Sequence, residues 1–412
     1  MIPTGNNRSP RAWNVSYQLV HPWIRPAFGG SVTVMPYAVI LNSRQSKTPV
    51  GSDPWVVSTQ KAILHALDRG HTIIGSLGLN TWELVTWIAA DYGGRVLVYV
   101  PFPYHKNVYG GTASAVCNER TLTTTILKEF DLDPSRTRLH YQDTPARTGT
   151  RKSSWPIRDK EVIDLADTIY PISIRPGGSL EALIAQAGSN KNICQEFCTA
   201  YQRRKSRGAL IPGDRTVNRT LSGGPWSYIT HWTRAADGKW PGETAASYYR
   251  DITFSRDTYA RSGLVTLLRI ISEKRLRASN RHIRGGFPVV SFSAHPPGEA
   301  IKLMRWRRRF VRYNFEPYGI AIRKDFARSI GVRPVTYGTP EDFAGLDKLD
   351  RPFFQNRGVR GGDWEPENEW RHLGDLDLSE VPSNEFKIIV RSLGEKRQIE
   401  LVSSAEVVSL FR

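Results

Sequence analysis

Cysteine is scarce: 412 residues contain only Cys117, Cys194 and Cys198, too few for a disulfide framework, and such a chain is expected in a reducing cytoplasm. Cys194 and Cys198 lie four apart, on one face if helical, but neither a second cysteine pair nor paired histidines accompany them, so no metal is expected. No run approaches the roughly 18 apolar residues of a membrane helix, and the opening MIPTGNNRSPRAW lacks the basic-then-apolar pattern of a secretory signal. A soluble, cytoplasmic protein with no membrane partner is expected. Acidic residues are also in deficit, 39 against 57 basic ones, which leaves a formal net charge of +18.

What is present points to a polyanion. Twelve Trp, 16 Tyr and 15 Phe are spread among the cations; Lys and Arg neutralise phosphates, and flat rings stack on bases. Nucleic acid is therefore the expected partner, DNA ahead of RNA; a soluble enzyme with a basic surface is the alternative. At 40% apolar and 23% charged, the chain is globular in composition, and its length implies at least two domains of about 100–200 residues.

From about Gly51 to Gly188, β-branched apolar runs alternate with helical segments. HTIIGSLG and GRVLVYVPF read as buried strands, and NTWELVTWIAADYG between them as a helix closed by glycine. Strand, helix, strand in succession implies a parallel sheet, hence an α/β Rossmann-like N-terminal domain over residues 1–195. SVTVMPYAVILN would add strands to it. The cationic stretch AYQRRKSRGALIPGDRTVNRTLSGGP has Gly and Pro punctuation and little periodicity, so residues 196–227 read as a basic linker. Residues 228–412, with one strongly helical segment around Leu264, Leu267, Leu268 and Ile271 and several strand-like runs, read as an α+β domain.

Two glycine-bearing turns stand out in the first domain. GSLGLNTWE places Gly75, Ser76 and Gly78 between a strand and a helix whose N-cap would be Asn80 or Thr81; free N–H groups there favour an anion, while glycines kept for packing are the plain alternative. PGGSLEAL places Gly177, Gly178 and Ser179 at another helix start, across the carboxyl edge of the same sheet. Cys117, three residues before Arg120, would be a nucleophile if that cation lowers its pKa, and an inert thiol if buried.

Around the second turn the sequence resembles the Rossmann-type SLOG nucleotide-binding proteins, which include the lonely-guy phosphoribohydrolases and DNA-processing protein A. Arg158, the helix end Leu165-Ala166-Asp167 and Pro176-Gly177-Gly178 match the lonely-guy pattern. The two residues after the glycines and the Thr are missing, and Ala182 occupies the position of the family's catalytic Glu, with Glu181 beside it. The resemblance therefore implies nucleotide binding by Arg158 and the glycine turns rather than hydrolysis.

The second half carries separated polar motifs: HWTRAADGKWPGET with His231, Thr233 and Arg234, then VVSFSAHPP with Ser293, then WEPENEWRHLGDLDLS with Glu369 and Arg371. A positioned carboxylate orients a sugar hydroxyl or acts as a base, and Arg holds phosphate; singly, these residues also suit a surface ion pair and a turn histidine. In order, His231, Thr233, Leu276, Ser291-Phe292-Ser293 and Glu369-Trp370-Arg371 resemble ADP-ribosyltransferase-like domains of prokaryotic defence and DNA-modification loci. That resemblance implies catalysis by His231, Arg234 and Glu369, substrate positioning by Thr233, Ser293 and Arg371, NAD as a possible substrate, and other proteins of the same system as partners.

In KLMRWRRRFVRYNF, Arg305, Arg308, Arg309 and Arg312 fall at i, i+3, i+4 and i+7, a cationic stripe if the segment is helical, which would grip a phosphate backbone without reading sequence. The expected function is a DNA-associated enzyme that modifies a nucleotide or base. An NAD-independent modifier of a base such as 7-deazaguanine, and a non-catalytic nucleotide sensor, are the competing readings.

Overall fold

The computed structural model describes residues 35–101, 119–142, 151–188, 190–202, 217–218, 221, 226–307, 311–358 and 365–412. From Pro36 onward the chain forms one compact unit built on two large sheets.

The first sheet contains β1 (Tyr37–Asn42), β2 (Thr72–Ser76), β3 (Val96–Val100), β4 (Thr137–Tyr141), β5 (Thr168–Ser173) and β6 (Asn192–Ile193). They lie in the order β4-β3-β2-β1-β5-β6, and every pairing is parallel. Alternate residues of β1 enter two different cores: Ala38 and Ile40 pack with helices α1 (Pro54–Asp68) and α2 (Asn80–Asp91), whereas Val39 and Leu41 pack with Val162, Ile163 and Leu180. A strand buried on both faces is a near-continuous apolar run, as Ala38–Leu41 of β1 is; the buried Asn42 at its end donates to the Thr59 hydroxyl at 2.9 Å. Among the described residues the other helices of this region are α3 (Glu119–Phe130), α4 (Arg151–Leu165) and α5 (Ser179–Ala187). This is the Rossmann-like arrangement that the alternating runs imply. Chain order reverses between β1 and β5, which is where open α/β sheets bind ligands.

The α+β half begins at β7 (Tyr228–Trp232) and continues through α6 (Ala245–Phe254), α7 (Gly263–Glu273), β8 (Arg275–Leu276) and β9 (Val289–Ser293). Next come β10 (Trp306–Arg307), β11 (Arg312–Tyr313), β12 (Gly319–Arg323), β13 (Arg333–Pro334), β14 (Thr336–Gly338) and β15 (Phe354–Asn356). The last strands are β16 (Glu369–Leu373), β17 (Leu376–Asp377), β18 (Phe386–Val390) and β19 (Glu406–Ser409). Seven of them form a mixed sheet in the order β13-β16-β9-β7-β12-β18-β19. Helix α7 is set at its start by Ser262, whose hydroxyl accepts from the Val265 N–H.

The first core is completed from the second half: Ala245, Ala246, Tyr248, Tyr249 and Ile252 of α6 are buried in the same cluster as α1 and α2. The linker reading falls mostly outside the described residues, as does Cys117. The helix expected over residues 302–315 is not formed. Trp306 pairs with Tyr313 and Arg307 with Arg312 in an antiparallel hairpin, so the helical stripe of Arg305 and Arg312 does not exist, and Arg308 and Arg309 lie outside the described residues. Trp306 and Tyr313 favour a pleated strand, and their cross-strand pairing outweighs the helical spacing of the arginines. Likewise Cys194 and Cys198 share no helical face: they follow β6 in irregular chain, where the Cys198 thiol donates to the Pro171 carbonyl at 2.7 Å.

Candidate functional site

The two glycine turns sit at the carboxyl ends of β2 and β5, on either side of β1. Gly75 and Ser76 belong to β2 itself. A Cβ on Gly75 would collide with the Thr86 hydroxyl of α2, and the Ser76 hydroxyl donates to the Tyr99 carbonyl at 2.8 Å, so both residues serve packing. Gly78, at φ +92°, and Gly177, at φ +69°, occupy the left-handed region that glycine tolerates best.

Each turn is capped by its own helix. The Gly78 N–H donates to Glu83 Oε1 at 2.7 Å, and the Gly177 N–H donates to Glu181 Oε2 at 2.7 Å. A carboxylate thus stands where a bound phosphate was expected. Helix α2 has Leu79 as its N-cap, without a side-chain cap; Asn80 instead donates to the Ser46 carbonyl at 2.9 Å. Gly178 caps α5, and Ser179 is that helix's first residue. Arg158 is 1% exposed, ion-paired with Asp159 at 2.6 Å and stacked over Trp82 at 4.9 Å. Burial raises the Asp159 pKa, against the pull of that guanidinium.

In the second sheet, strand pairing brings several expected residues together. Thr230 faces Ser293, and Ser293 faces Glu369, across β7, β9 and β16. Ser291 Oγ donates to Glu369 Oε1 at 2.6 Å, while Arg371 donates to both Glu369 oxygens, Nε at 3.0 Å and Nη2 at 2.9 Å. Arg371 is itself 1% exposed and donates to the carbonyls of Pro352 and Phe354 and to the Gln355 side chain, so it fixes Glu369 and the adjoining loop. Ser293 donates to the Glu367 carbonyl at 2.7 Å. The Thr233 hydroxyl lies 3.2 Å from both the Gly263 and Tyr318 carbonyls, a tie within the fold rather than a hand for substrate.

His231 stands apart from Glu369. It pairs with Ile320, whose face of the sheet buries Phe292 and Trp370; Glu369 and Arg371 alternate with Trp370 and so project from the other face. Its Nδ1 lies 2.8 Å from the Ser291 carbonyl. Burial holds its pKa below the usual histidine value, the nearby Arg234 adds to this, and the Ser291 bond opposes it.

Glu367, which the sequence reading passed over, is the most perturbed carboxylate of this region. Burial pushes its pKa up to about 7, and Glu369 reinforces the shift; the Asn314 amide, donating at 3.0 Å, and Arg307, 3.5 Å away, oppose it. Arg234 contributes to the same field, and its own charge is disfavoured by burial and by Arg281. Arg307 belongs to β10, and across from it on β11 Arg312 has its pKa lowered to about 10, first by burial and then by Arg234 and Arg281.

No protein-family model matches the chain, and no curated protein matches it. Among solved structures that resemble part of it are two DNA processing proteins. DNA processing protein A from Streptococcus pneumoniae is 13% identical with a TM-score of 0.26, over 39% of this chain and 49% of that one. DNA processing protein A from Helicobacter pylori, described for its single-stranded DNA binding mode, is 12% identical with a TM-score of 0.25, over 38% and 63%. The chain thus spans about half the length of the first and less than two thirds of the second.

Between the two sheets, at the β1/β5 switch point, is a cavity of about 250 Å³. Its floor includes Gln45, Lys47 and Ser173, and its other wall includes Asp237, Trp306 and Arg312. Trp306 and Arg312 lie in the arginine-rich stretch and Asp237 in the His231 motif, whereas Gln45, Lys47 and Ser173 belong to no motif, because the lining comes from several distant stretches. Glu367 had a visible signal: Glu365, Glu367 and Glu369 alternate immediately before and into a strand.

Proposed function

We propose that the second half of the chain transfers a nucleotide-derived group, of the ADP-ribosyl type, to nucleic acid. The observation that carries this reading is the pair Glu367 and Glu369 in two different electrostatic states. Glu369 is fixed and charge-paired by Arg371 and Ser291, whereas Glu367 titrates near neutrality. A carboxylate held by a guanidinium and a hydroxyl beside one that burial poises near neutrality suits division of labour: one fixed to orient ribose hydroxyls and support a developing positive charge, the other available as a base.

In the proposed reaction the bond from the ribose anomeric carbon to nicotinamide breaks, and nicotinamide leaves with the electron pair. The anomeric carbon forms a bond to a base nitrogen or oxygen, whose proton passes to Glu367. Arg234 would hold the pyrophosphate, and His231, on the far side of the sheet, would hold β9 in place through the Ser291 carbonyl. The net charge of +18 supports nucleic acid as the acceptor.

The test is incubation of the full chain with DNA and NAD labelled in its adenosine half. Label should enter DNA, and Glu369→Gln should lower the rate by about 100-fold or more. A mass change in the DNA with NAD absent, or transfer unchanged in Glu369→Gln, would contradict the reading.

A further inference from the structure

Glu367 sits on a single helical turn, Glu365–Glu367, that leads into β16. So short a turn has little to hold it: the Asn368 N–H reaches the Glu365 carbonyl at 3.1 Å, and the last carbonyls need donors from elsewhere. Three consecutive residues at and after the end of β9 supply them. The Ser293 hydroxyl donates to the Glu367 carbonyl at 2.7 Å, the Ala294 N–H to the Asn368 carbonyl at 3.0 Å, and His295 Nε2 to the Pro366 carbonyl at 2.8 Å. We infer that His295, braced by Glu299, is a positioning residue that clamps the Glu365–Glu367 turn to the end of β9 and so fixes where the Glu367 carboxylate stands.

The ring is oriented from both sides. Its Nδ1 lies 3.0 Å from Glu299 Oε2, on the short helix Pro297–Ala300. A carboxylate and a carbonyl only accept, so in this arrangement each ring nitrogen carries a hydrogen and donates it. Among the described residues no other group donates to the Pro366 carbonyl, so this bond is what ties Pro366 to the sheet. Asn368, which follows Glu367, enters β16 at φ +46°, a left-handed conformation that its surroundings must hold.

What the clamp fixes is the field at Glu367. The Asn314 amide, 3.0 Å away, and Arg307, 3.5 Å away, meet the carboxylate, while Glu369, Tyr337, Arg234 and Arg312 face it at longer range. Asn314, the three arginines and Tyr337 stand on other elements, so their distances from Glu367 depend on where its turn lies. Glu365 and Pro366 are already exposed, and with the clamp released the turn opens toward water. The burial that raises the Glu367 pKa then weakens. In the transfer reaction, the role of His295 in positioning the base rests on the function proposed above; its hold on Glu367 does not.

The test follows the Glu367 carboxyl itself, by carbon NMR of the full chain isotopically labelled at the glutamate carboxyl carbons; its signal is the one missing from Glu367→Gln. Wild type should titrate with a midpoint of about 7. His295→Leu, which cannot donate, should lower that midpoint by about 1 pH unit or more, and His295→Gln, whose amide can still donate to Pro366, should restore it. His295 and Glu299 are 24% and 57% exposed, so the unfolding temperature should barely move. Glu299→Ala, the milder change, should lower the midpoint by a smaller amount and serves if His295→Leu does not fold. For transfer from NAD, His295→Leu should lower kcat about 10-fold with KM within about 2-fold of wild type, and His295→Gln should recover it. Absence of transfer in wild type overturns the reaction, and with it the catalytic side of the role, without touching the clamp. The clamp is overturned if folded His295→Leu titrates as wild type, if Glu299→Ala does, or if His295→Gln moves the midpoint as far as His295→Leu.

Discussion

The glycine turns of the first sheet and the β9–β16 region of the second both present a carboxylate among groups that bind anions or protons. At the turns, Glu83 and Glu181 accept from backbone N–H groups and act as the turns' own anions. At the second sheet, Glu369 is held by Arg371 and Ser291, while its neighbour Glu367 is buried against a weak set of partners and titrates near 7. The difference is one of surroundings rather than residue type. A carboxylate that completes a turn adds stability, whereas one lodged among partly compensated charges costs stability and is available for chemistry.

This contrast can be broken at several points. The largest effect is expected at Arg371: Arg371→Ala leaves Glu369 buried without its partner and should destabilise the fold by about 3–5 kcal/mol, read as a fall in the denaturant midpoint. Glu367 should give a pH signature of about 3 kcal/mol. Because its folded pKa is raised, its protonated form favours folding at acid pH, and that contribution is lost as pH rises from the ordinary glutamate range to about 7. Denaturant unfolding across that window should show the slope, and Glu367→Gln should flatten it.

Gly75→Ala should cost about 1–3 kcal/mol by pressing α2 away from β2, read as a fall in the denaturant midpoint; unchanged stability would contradict the close β2–α2 packing. The smallest effect is expected at Glu181→Ala, about 1 kcal/mol or less, since the Gly177 turn is exposed and its freed N–H can turn to water. Tight phosphate binding gained by this variant would show that the turn is a blocked anion site rather than a capped one.

The Rossmann-like sheet was legible because its central strands β1, β2, β3 and β5 are apolar, largely buried runs separated by helical segments; the edge strands β4 and β6 are less buried. Helix α2 and the strands around it lie where the runs HTIIGSLG and GRVLVYVPF placed them. The role of the glycine turns was not legible, because local sequence shows the glycine but not that Glu83 or Glu181 folds back onto it. The arginine stripe failed for a related reason. Arginines at helical spacing favour a helix only weakly per residue, and Trp306 pairing with Tyr313 overrode it. Glu369 was found from its motif, yet His231 was grouped with it although strand alternation sets the two on opposite faces; that alternation becomes readable only once the register of β7, β9 and β16 is known. The cavity was invisible because it is assembled from both halves of the chain.

The pH dependence of label transfer from NAD to DNA, measured for the full chain beside Glu367→Gln, tests the central claim most directly. The account predicts a wild-type rate that rises with pH to a half-point near 7, and a slow, pH-independent rate for the variant. A variant with the same rise and half-point as wild type would contradict it.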